Sequence, residues 1–197
     1  MNSRQRILAA LRDRSRDPAV LPAVDDDRII YDDPCRQLLA VAADVGAESM
    51  VVASADQVGT ALEQIAAYRQ AHNVCALLPN IGRSNIDPQT LDDPHALPQI
   101  DFAVVPAAFA VAENGAVWVT DEGVHHRAIL FLAEHLALVV PQREIVHNMH
   151  EAYERLAFEA GRFGVFISGP SKTADIEQAL VIGAQGPRSL TLFVTES

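Results

Sequence analysis

The stretch that decides the fold is residues 35–78, CRQLLAVAADVGAESMVVASADQVGTALEQIAAYRQAHNVCALL. Apolar side chains recur every three or four residues over 35–45, which predicts a helix with one buried face. Residues 50–53 form a short apolar run, which predicts a buried strand. A second helix and a second strand follow: a capped amphipathic helix is predicted over 54–65 and an apolar strand over 74–78. This alternation predicts an α/β fold with a largely parallel sheet covered by helices.

The strand pattern resumes downstream of an irregular segment, residues 80–100. A loop of that length inside a compact domain often carries a function. Further strands are predicted from apolar runs at residues 102–105, 116–120, 136–140, 165–167 and 190–194. Two further helices are predicted, one over 147–160 and one that follows the turn after residue 167 and runs through Ile182.

The N-terminal residues 1–34 differ from the rest of the chain. A short amphipathic helix carries Ile7, Leu8 and Leu11 on one face, and residues 13–34 hold three prolines and two acidic clusters. That composition is typical of a linker or an extended arm. We therefore expect an N-terminal helix and arm over residues 1–34 and an α/β domain over 35–197. The pattern leaves open whether the helix docks on the body or on a partner.

Composition narrows the function classes. The chain has 197 residues, 49% of them hydrophobic, and a net charge of −11. Such a charge argues against nucleic acid or an anionic membrane as the principal partner. The N-terminus lacks the pattern of a secretory signal, and no apolar run is long enough to span a bilayer, so a cytoplasmic protein is expected. With only Cys35 and Cys75, the chain lacks the cysteines of a disulfide framework or of its own iron–sulfur cluster.

The predicted turn after residue 167 holds a group of small polar residues and one lysine. Ser168, Gly169, Ser171 and Thr173 would expose hydroxyls and backbone N–H groups at a helix N-terminus, and Lys172 would add positive charge. Such an arrangement suits a phosphate or a carboxylate. The spacing of a phosphate-binding Gly-x4-Gly-Lys-Ser/Thr loop is missing. Ordinary helix capping therefore stays an alternative to anion binding.

A second candidate is the tight turn Glu113-Asn114-Gly115 between two apolar runs. A carboxylate presented there acts as a general base or a nucleophile when it is withdrawn from water. The alternative is a polar turn residue that faces solvent. Asn114 and Gly115 would line the same ligand site as Glu113.

Histidines concentrate between residues 125 and 150. His147, His150 and Glu151 have the spacing of metal ligands on one helix face, but the His-Glu-x-x-His pattern of zinc proteases is missing. Histidines on a helix surface explain that group better, so no metal site is predicted there.

Arg127 follows directly after His125 and His126. Three basic or titratable side chains in a row would form a basic rim for a carboxylate ligand. A solvated loop is the alternative.

Residues 166–188, FISGPSKTADIEQALVIGAQGPR, together with residues 112–118, AENGAVW, resemble the two signature motifs of the lactate-utilization (LUD) domain family, LutC- or YkgG-like proteins. The first run is long and contiguous, and the resemblance covers about residues 35–194. Asn114 stands where a threonine is commoner in that family. The resemblance implies a three-layer fold similar to ribose-5-phosphate isomerase and the CoA-transferases, close to 5-formyltetrahydrofolate cyclo-ligase.

The resemblance also implies a function. The chain would be a non-redox component of bacterial L-lactate oxidation to pyruvate, with LutA- and LutB-like iron–sulfur partners that hold the clusters, so no cofactor is expected in this chain. It would bind a small carboxylate, another anion or a partner protein between residues 113–115 and 168–173. Arg127 and Lys172 would be the counter-charges.

Two alternatives follow from the same residues. Some CoA-transferases carry Ser-Glu-Asn-Gly, in which the glutamate attacks an acyl thioester. The corresponding run here is Ala112-Glu113-Asn114-Gly115, so Glu113 would be the nucleophile of an acyl- or CoA-handling enzyme. A purely structural scaffold is the other alternative.

Overall fold

The computed structural model describes residues 2–12, 28–97, 99–156, 162–176 and 179–196. Its centre is a five-stranded sheet with every neighbouring pair parallel. Numbered in chain order, its strands are β1 (Glu48–Val52), β2 (Val74–Ala76), β3 (Phe102–Pro106), β6 (His135–Pro141) and β11 (Ser189–Thr195). They lie in the order β1-β11-β6-β3-β2. The predicted α/β class with a largely parallel sheet is confirmed.

The main sheet is buried on both faces, which is why its strands are apolar runs rather than alternating ones. Successive side chains of a strand point to opposite faces. Leu136, Leu138 and Val140 of β6 belong to one hydrophobic cluster, whereas Ala137 and Val139 belong to another. The sheet therefore separates two cores.

Helices α3 (Ala55–Leu62) and α4 (Ala66–Gln70) cover one face of the sheet. Val58, Leu62 and Tyr68 are fully buried there. The sequence predicted one helix with a capping box, and the structure has two. Gln57 Oε1 accepts the Ala53 N–H at 3.1 Å, but the Ser54 side chain makes no cap hydrogen bond.

Helix α2 (Pro34–Asp44), helix α5 (Ile129–Leu132) and a second sheet cover the other face. Asp33 caps α2 by accepting the Arg36 N–H at 2.9 Å. The second sheet has the order β7-β4-β5-β8, where its strands are β4 (Phe109–Val111), β5 (Val117–Thr120), β7 (Ile145–Val146) and β8 (Gly164–Ile167).

Helix α6 (Met149–Arg155) packs on the outer face of this second sheet through buried Ala152. The sequence predicted a longer helix, of which residues 157–160 lie outside the described residues. Short 3-10 turns lie at Pro88–Thr90, Pro94–Ala96 and Gln142–Glu144.

The prediction of a helix that follows the turn after residue 167 and runs through Ile182 is wrong. The chain instead forms an antiparallel hairpin of β9 (Lys172–Ile176) and β10 (Ala179–Ile182). Thr173 Oγ1 donates to the Val181 carbonyl at 3.0 Å and accepts the Val181 N–H. The branched side chains of Thr173, Val181 and Ile182 explain the difference, because residues branched at Cβ favour strands over helices.

At the N-terminus, α1 (Ser3–Arg12) buries no side chain, and residues 13–27 of the predicted arm lie outside the described part of the chain. Residues 28–31 are attached to the body next to α6. Asn148 Nδ2 donates to the Ile29 carbonyl at 2.9 Å, and the Tyr31 N–H donates to His147 Nδ1 at 3.1 Å. The body therefore includes residues before the predicted boundary at residue 35. No described helix is long and apolar enough to cross a membrane.

Candidate functional site

The Glu113 turn links β4 to β5 and touches the start of α6. Glu113 is half-buried, and its Oε2 accepts the Met149 N–H at 2.9 Å, while its own N–H donates to the His147 carbonyl at 3.1 Å. A carboxylate at this position satisfies one of the free N–H groups of the first helical turn. Glu113 thus has a structural task that the sequence did not predict.

The structure brings the two predicted segments together. Ser168 Oγ donates to the Asn114 carbonyl at 3.0 Å. Asn114 is exposed, whereas Gly115 has a φ of 68° and is packed against α2, where an added Cβ would lie 3.3 Å from Val41 Cγ1. The neighbourhood expected for residues 113–115 and the turn after residue 167 is therefore present, but α2 lies against it.

The polar groups of residues 168–173 mostly hold the fold together. Lys172 Nζ donates to the Val45 carbonyl at the end of α2, where the positive charge complements the helix dipole. The Ser171 N–H donates to the Pro187 carbonyl at 2.8 Å. The anion site expected here depended on free N–H groups at a helix N-terminus. The chain forms a hairpin there instead of a helix, so the argument from a helix N-terminus no longer supports an anion site.

Arg127 lies elsewhere. Its guanidinium carbon is 5.0 Å from the centre of the Phe163 ring, just before the Gly164 end of the β5–β8 ladder. The Glu113 turn and Ser168 adjoin the other end, where Val117 pairs with Ile167. The ladder between the two ends is about 10 Å long at roughly 3.3 Å per residue. The structure therefore separates Arg127 from the other predicted site residues.

Arg127 faces an open cavity of about 580 Å³, which we call the Arg127 cavity. Its walls come from the long loop before β3 and from the loop between β5 and α5, and it is lined by Gln89, Asp121, Gly123, Val124, His125 and Arg127. Its volume lies within the range of small-molecule sites.

A buried histidine ties the two walls of the Arg127 cavity together. His126 is 8% exposed, and its Nε2 lies 2.7 Å from the Leu91 carbonyl. The contact joins positions 35 residues apart and fixes the loop that contributes Gln89. The basic rim predicted at residues 125–127 is thus split: His125 and Arg127 line the cavity, and His126 supports its wall.

Charge in the cavity is arranged around Phe163. The Asp121 N–H donates to the Phe163 carbonyl at 3.1 Å, and Asp121 Oδ2 accepts the Phe163 N–H at 3.2 Å. Within the described ranges, no carboxylate forms an ion pair with Arg127. Sequence reasoning missed Gln89 and Asp121. The place of Asp121 directly after a strand was a usable signal, whereas nothing in the sequence marked Gln89.

His147 and Glu151, at and just before the start of α6, have structural roles, and no metal site had been predicted there. His147 Nδ1 accepts the Tyr31 N–H, Glu151 Oε2 accepts the His147 N–H at 2.9 Å, and Asn148 Oδ1 accepts the Glu151 N–H at 3.0 Å. These bonds cap α6 and attach residues 28–31. Among the residues that the structure describes, no group of three or more metal-binding side chains is found.

Comparison with known proteins gives the family. The sequence model of the LUD domain matches residues 95–195, about half of the chain. The chain belongs to the LUD domain family. The resemblance noted in residues 112–118 and 166–188 is therefore confirmed.

Curated relatives of this LUD protein carry one common name. "Lactate utilization protein C" of Geobacillus kaustophilus is 31% identical over 122 residues, which cover 59% of this chain and 48% of that protein. "Lactate utilization protein C 1" of Bacillus mycoides is 33% identical over 97 residues, covering 44% and 40%. The chain thus spans about half the length of the curated relatives it matches.

The fold of this LUD protein has a solved counterpart. A DUF162 family protein from Deinococcus radiodurans superposes with a TM-score of 0.62 at 18% identity, over 85% of this chain and 99% of that one. At that identity the likeness shows the fold alone.

Proposed function

We propose that this LUD protein is a non-redox component of L-lactate utilization that binds a small carboxylate in the Arg127 cavity. The name shared by its relatives supports the pathway. In this proposal, iron–sulfur partner proteins carry out the oxidation. The cysteine content agrees with that division, because a cluster takes about four thiolates and this chain has two cysteines, 40 positions apart.

The observation that carries the proposal is the guanidinium of Arg127, which has no carboxylate partner among the residues that the structure describes. Arginine forms paired hydrogen bonds with carboxylates, and its flat guanidinium stacks on aromatic rings. The Arg127 guanidinium lies over the Phe163 ring, and a guanidinium held by its flat face can still donate its N–H groups to a ligand. His125 and Gln89 add further hydrogen-bonding groups to the same cavity. A small carboxylate is the ligand that these groups fit best.

The first experiment is thermal unfolding of the protein against L-lactate, pyruvate, propionate and phosphate. A ligand that binds only the native state raises the unfolding midpoint by mass action. We expect a carboxylate to raise it, with at least about tenfold weaker binding in Arg127→Gln, since a charge-assisted bidentate pair contributes more than about 1.4 kcal/mol.

Arg143→Gln is the matched control for this experiment. Arg143 is a surface arginine whose side chain is 74% exposed, and it does not line the cavity. Its replacement should leave binding unchanged. Equal binding by wild type and Arg127→Gln, or no binding of any carboxylate, would overturn the proposed site.

The partner part of the proposal has its own test. The tagged full chain is co-expressed with the iron–sulfur proteins of a lactate-oxidising system, purified, and assayed for lactate-dependent electron transfer. We expect co-purification, or a gain of activity when the chain is added back to the partners. The partners alone must be folded and hold their clusters. If the chain then neither co-purifies with them nor raises their activity, a role beside them is contradicted.

A further inference from the structure

The Arg127 cavity holds a second charged group, which a simple carboxylate would leave unused. Asp121 lines the same cavity, and one of its two carboxylate oxygens is occupied by the Phe163 N–H. Within the described part of the chain, the other oxygen accepts no hydrogen bond. A carboxylate with a free oxygen in a binding cavity is an acceptor for a donor group on the ligand.

Arg127 and Asp121 both contact Phe163, yet they do not form an ion pair with each other. Arg127 stacks on the ring of Phe163, and Asp121 is bonded to its backbone. An arginine and an aspartate on one wall ordinarily pair and neutralise each other. Here the two groups form no ion pair. The cavity is therefore lined by a positive and a negative group that are not paired with each other.

We infer that the ligand of the Arg127 cavity carries a hydrogen-bond donor next to its carboxylate, and that Asp121 selects for this donor. The chemistry fits a 2-hydroxy acid or a 2-amino acid, with its carboxylate on Arg127 and its hydroxyl or ammonium on Asp121. This inference rests on the proposed function, because it concerns the same cavity and the same carboxylate.

The inference also predicts which ligands are rejected. A 2-keto acid would bring a carbonyl oxygen towards the carboxylate of Asp121, so that two acceptors face each other without a proton between them. Specificity of this kind arises from unpaired and repelling groups as much as from attraction. An acid with no substituent at C2 would lose the donor bond without the repulsion. We therefore expect hydroxy and amino acids to bind best, unsubstituted acids less well and keto acids least.

Four three-carbon acids test this order, because they differ only at C2: L-lactate, L-alanine, propionate and pyruvate. Their dissociation constants would be measured by calorimetry with the full chain. We expect L-lactate or L-alanine to bind at least about fivefold tighter than propionate, the equivalent of one hydrogen bond of roughly 1 kcal/mol. Whichever of the two binds tighter identifies the donor as hydroxyl or ammonium.

Asp121→Asn makes the test sharper. The Phe163 N–H needs an acceptor, so the asparagine carbonyl oxygen would take the place of Asp121 Oδ2 and its NH2 group would face the cavity. The acceptor would thereby become a donor. We expect pyruvate to gain and L-alanine to lose affinity, so that their order reverses. Glu122→Gln removes the same charge from the neighbouring exposed residue and should leave the order unchanged.

The outcomes separate this inference from the proposed function. Equal binding of all four acids, unchanged in Asp121→Asn but lost in Arg127→Gln, would overturn the inference and leave the carboxylate site in place. Failure of all four acids to bind, or binding that does not depend on Arg127, would overturn both. Far-ultraviolet circular dichroism confirms that each variant is folded.

Discussion

At the scale of single residues, the Glu113 carboxylate joins the β4–β5 turn to the start of α6. Glu113→Gln keeps an acceptor for the Met149 N–H but removes the negative charge next to the helix N-terminus. We expect the free energy of unfolding to fall by about 0.5–1 kcal/mol, as measured by urea denaturation. Glu122→Gln, at an exposed position, should change it by less than about 0.5 kcal/mol.

The same variant tests the alternative of an acyl- or CoA-handling enzyme. If Glu113 were a nucleophile, incubation with acyl-CoA would leave a hydroxylamine-sensitive adduct on Glu113 that mass spectrometry detects. We expect no adduct. An adduct that disappears in Glu113→Gln would replace the structural role with a catalytic one.

The two cysteines give a second prediction at this scale. Burial, and secondarily the charge of Asp87, raises the pKa of the Cys75 thiol to about 11, and burial likewise raises the pKa of Cys35. At pH 8 only about one Cys75 in a thousand is then a thiolate, the form that alkylating reagents attack. We expect iodoacetamide to modify the native protein far more slowly than the urea-unfolded protein.

The raised pKa of Cys75 also sets a direction for stability. Above the ordinary pKa of a thiol, the unfolded state releases a proton that the native state keeps, so the free energy of unfolding falls as pH rises towards about 11. Cys75→Ser should show a shallower decline over that range. Rapid alkylation of Cys75 in the native protein, or identical declines for both proteins, would contradict the buried thiol.

At the scale of elements, the turn before β9 is pressed against the end of α2. Gly169 has a φ of 71°, and a Cβ added there would lie 2.4 Å from the Val45 carbonyl oxygen. Gly123 has nearly the same φ, 73°, but an added Cβ would meet nothing within 4 Å. Gly123→Ala measures the backbone cost alone, about 1 kcal/mol. We expect Gly169→Ala to destabilise by at least about 3 kcal/mol, because overpacking adds to that cost.

Chemical denaturation of both alanine variants checks this prediction. Equal losses of unfolding free energy would show that α2 and the turn are not in contact. A larger loss for Gly169→Ala would show that the turn and the end of α2 move apart only at a high cost.

Some of the helices and strands could be predicted from the sequence, and others could not. Helix α2 and the five strands of the main sheet were predicted because burial on both faces imposes continuous apolar runs. The hairpin was missed because Ser171 and Asp175 resemble the polar first turn of a helix, whereas the branched residues at 173, 181 and 182 favour strands. A strand needs a partner strand, and the sequence does not show where that partner lies.

The residues of the candidate site also fall into those that the sequence predicted and those that it did not. Arg127 was found because three basic or titratable residues are adjacent in the sequence. The bonds between Asp121 and Phe163 join positions 42 residues apart, and the wall that contributes Gln89 is held by the contact of His126 with Leu91. Such pairs depend on how strands and loops pack in three dimensions, so no local pattern predicts them.

At the scale of the whole molecule, the N-terminal region has two parts with different roles in stability. Helix α1 buries no side chain, but residues 28–31 bond to α6. Removal of residues 1–12 should leave the free energy of unfolding within about 0.5 kcal/mol of the full chain. Removal of residues 1–31, which keeps Asp33 as the cap of α2, should lower it by at least about 2 kcal/mol, since two hydrogen bonds and the packed Tyr31 ring are lost.

Urea denaturation of the two truncated proteins and the full chain gives the comparison. A large loss on removal of residues 1–12 would show that α1 is held by the body. Equal stability of all three proteins would show that residues 28–31 contribute nothing to the fold, contrary to the contacts of Ile29 and Tyr31.

The order of strands in the main sheet has a consequence for synthesis on the ribosome. Among the described residues, the strand partner of β1 in this sheet is β11, whose residues 189–195 are made more than a hundred positions after β1. β11 also separates β1 from β6. Until β11 emerges, the nascent chain keeps two strand edges open, and such edges are where neighbouring nascent chains mispair. The time of greatest risk for this protein is therefore the interval between the emergence of β1 and the emergence of β11.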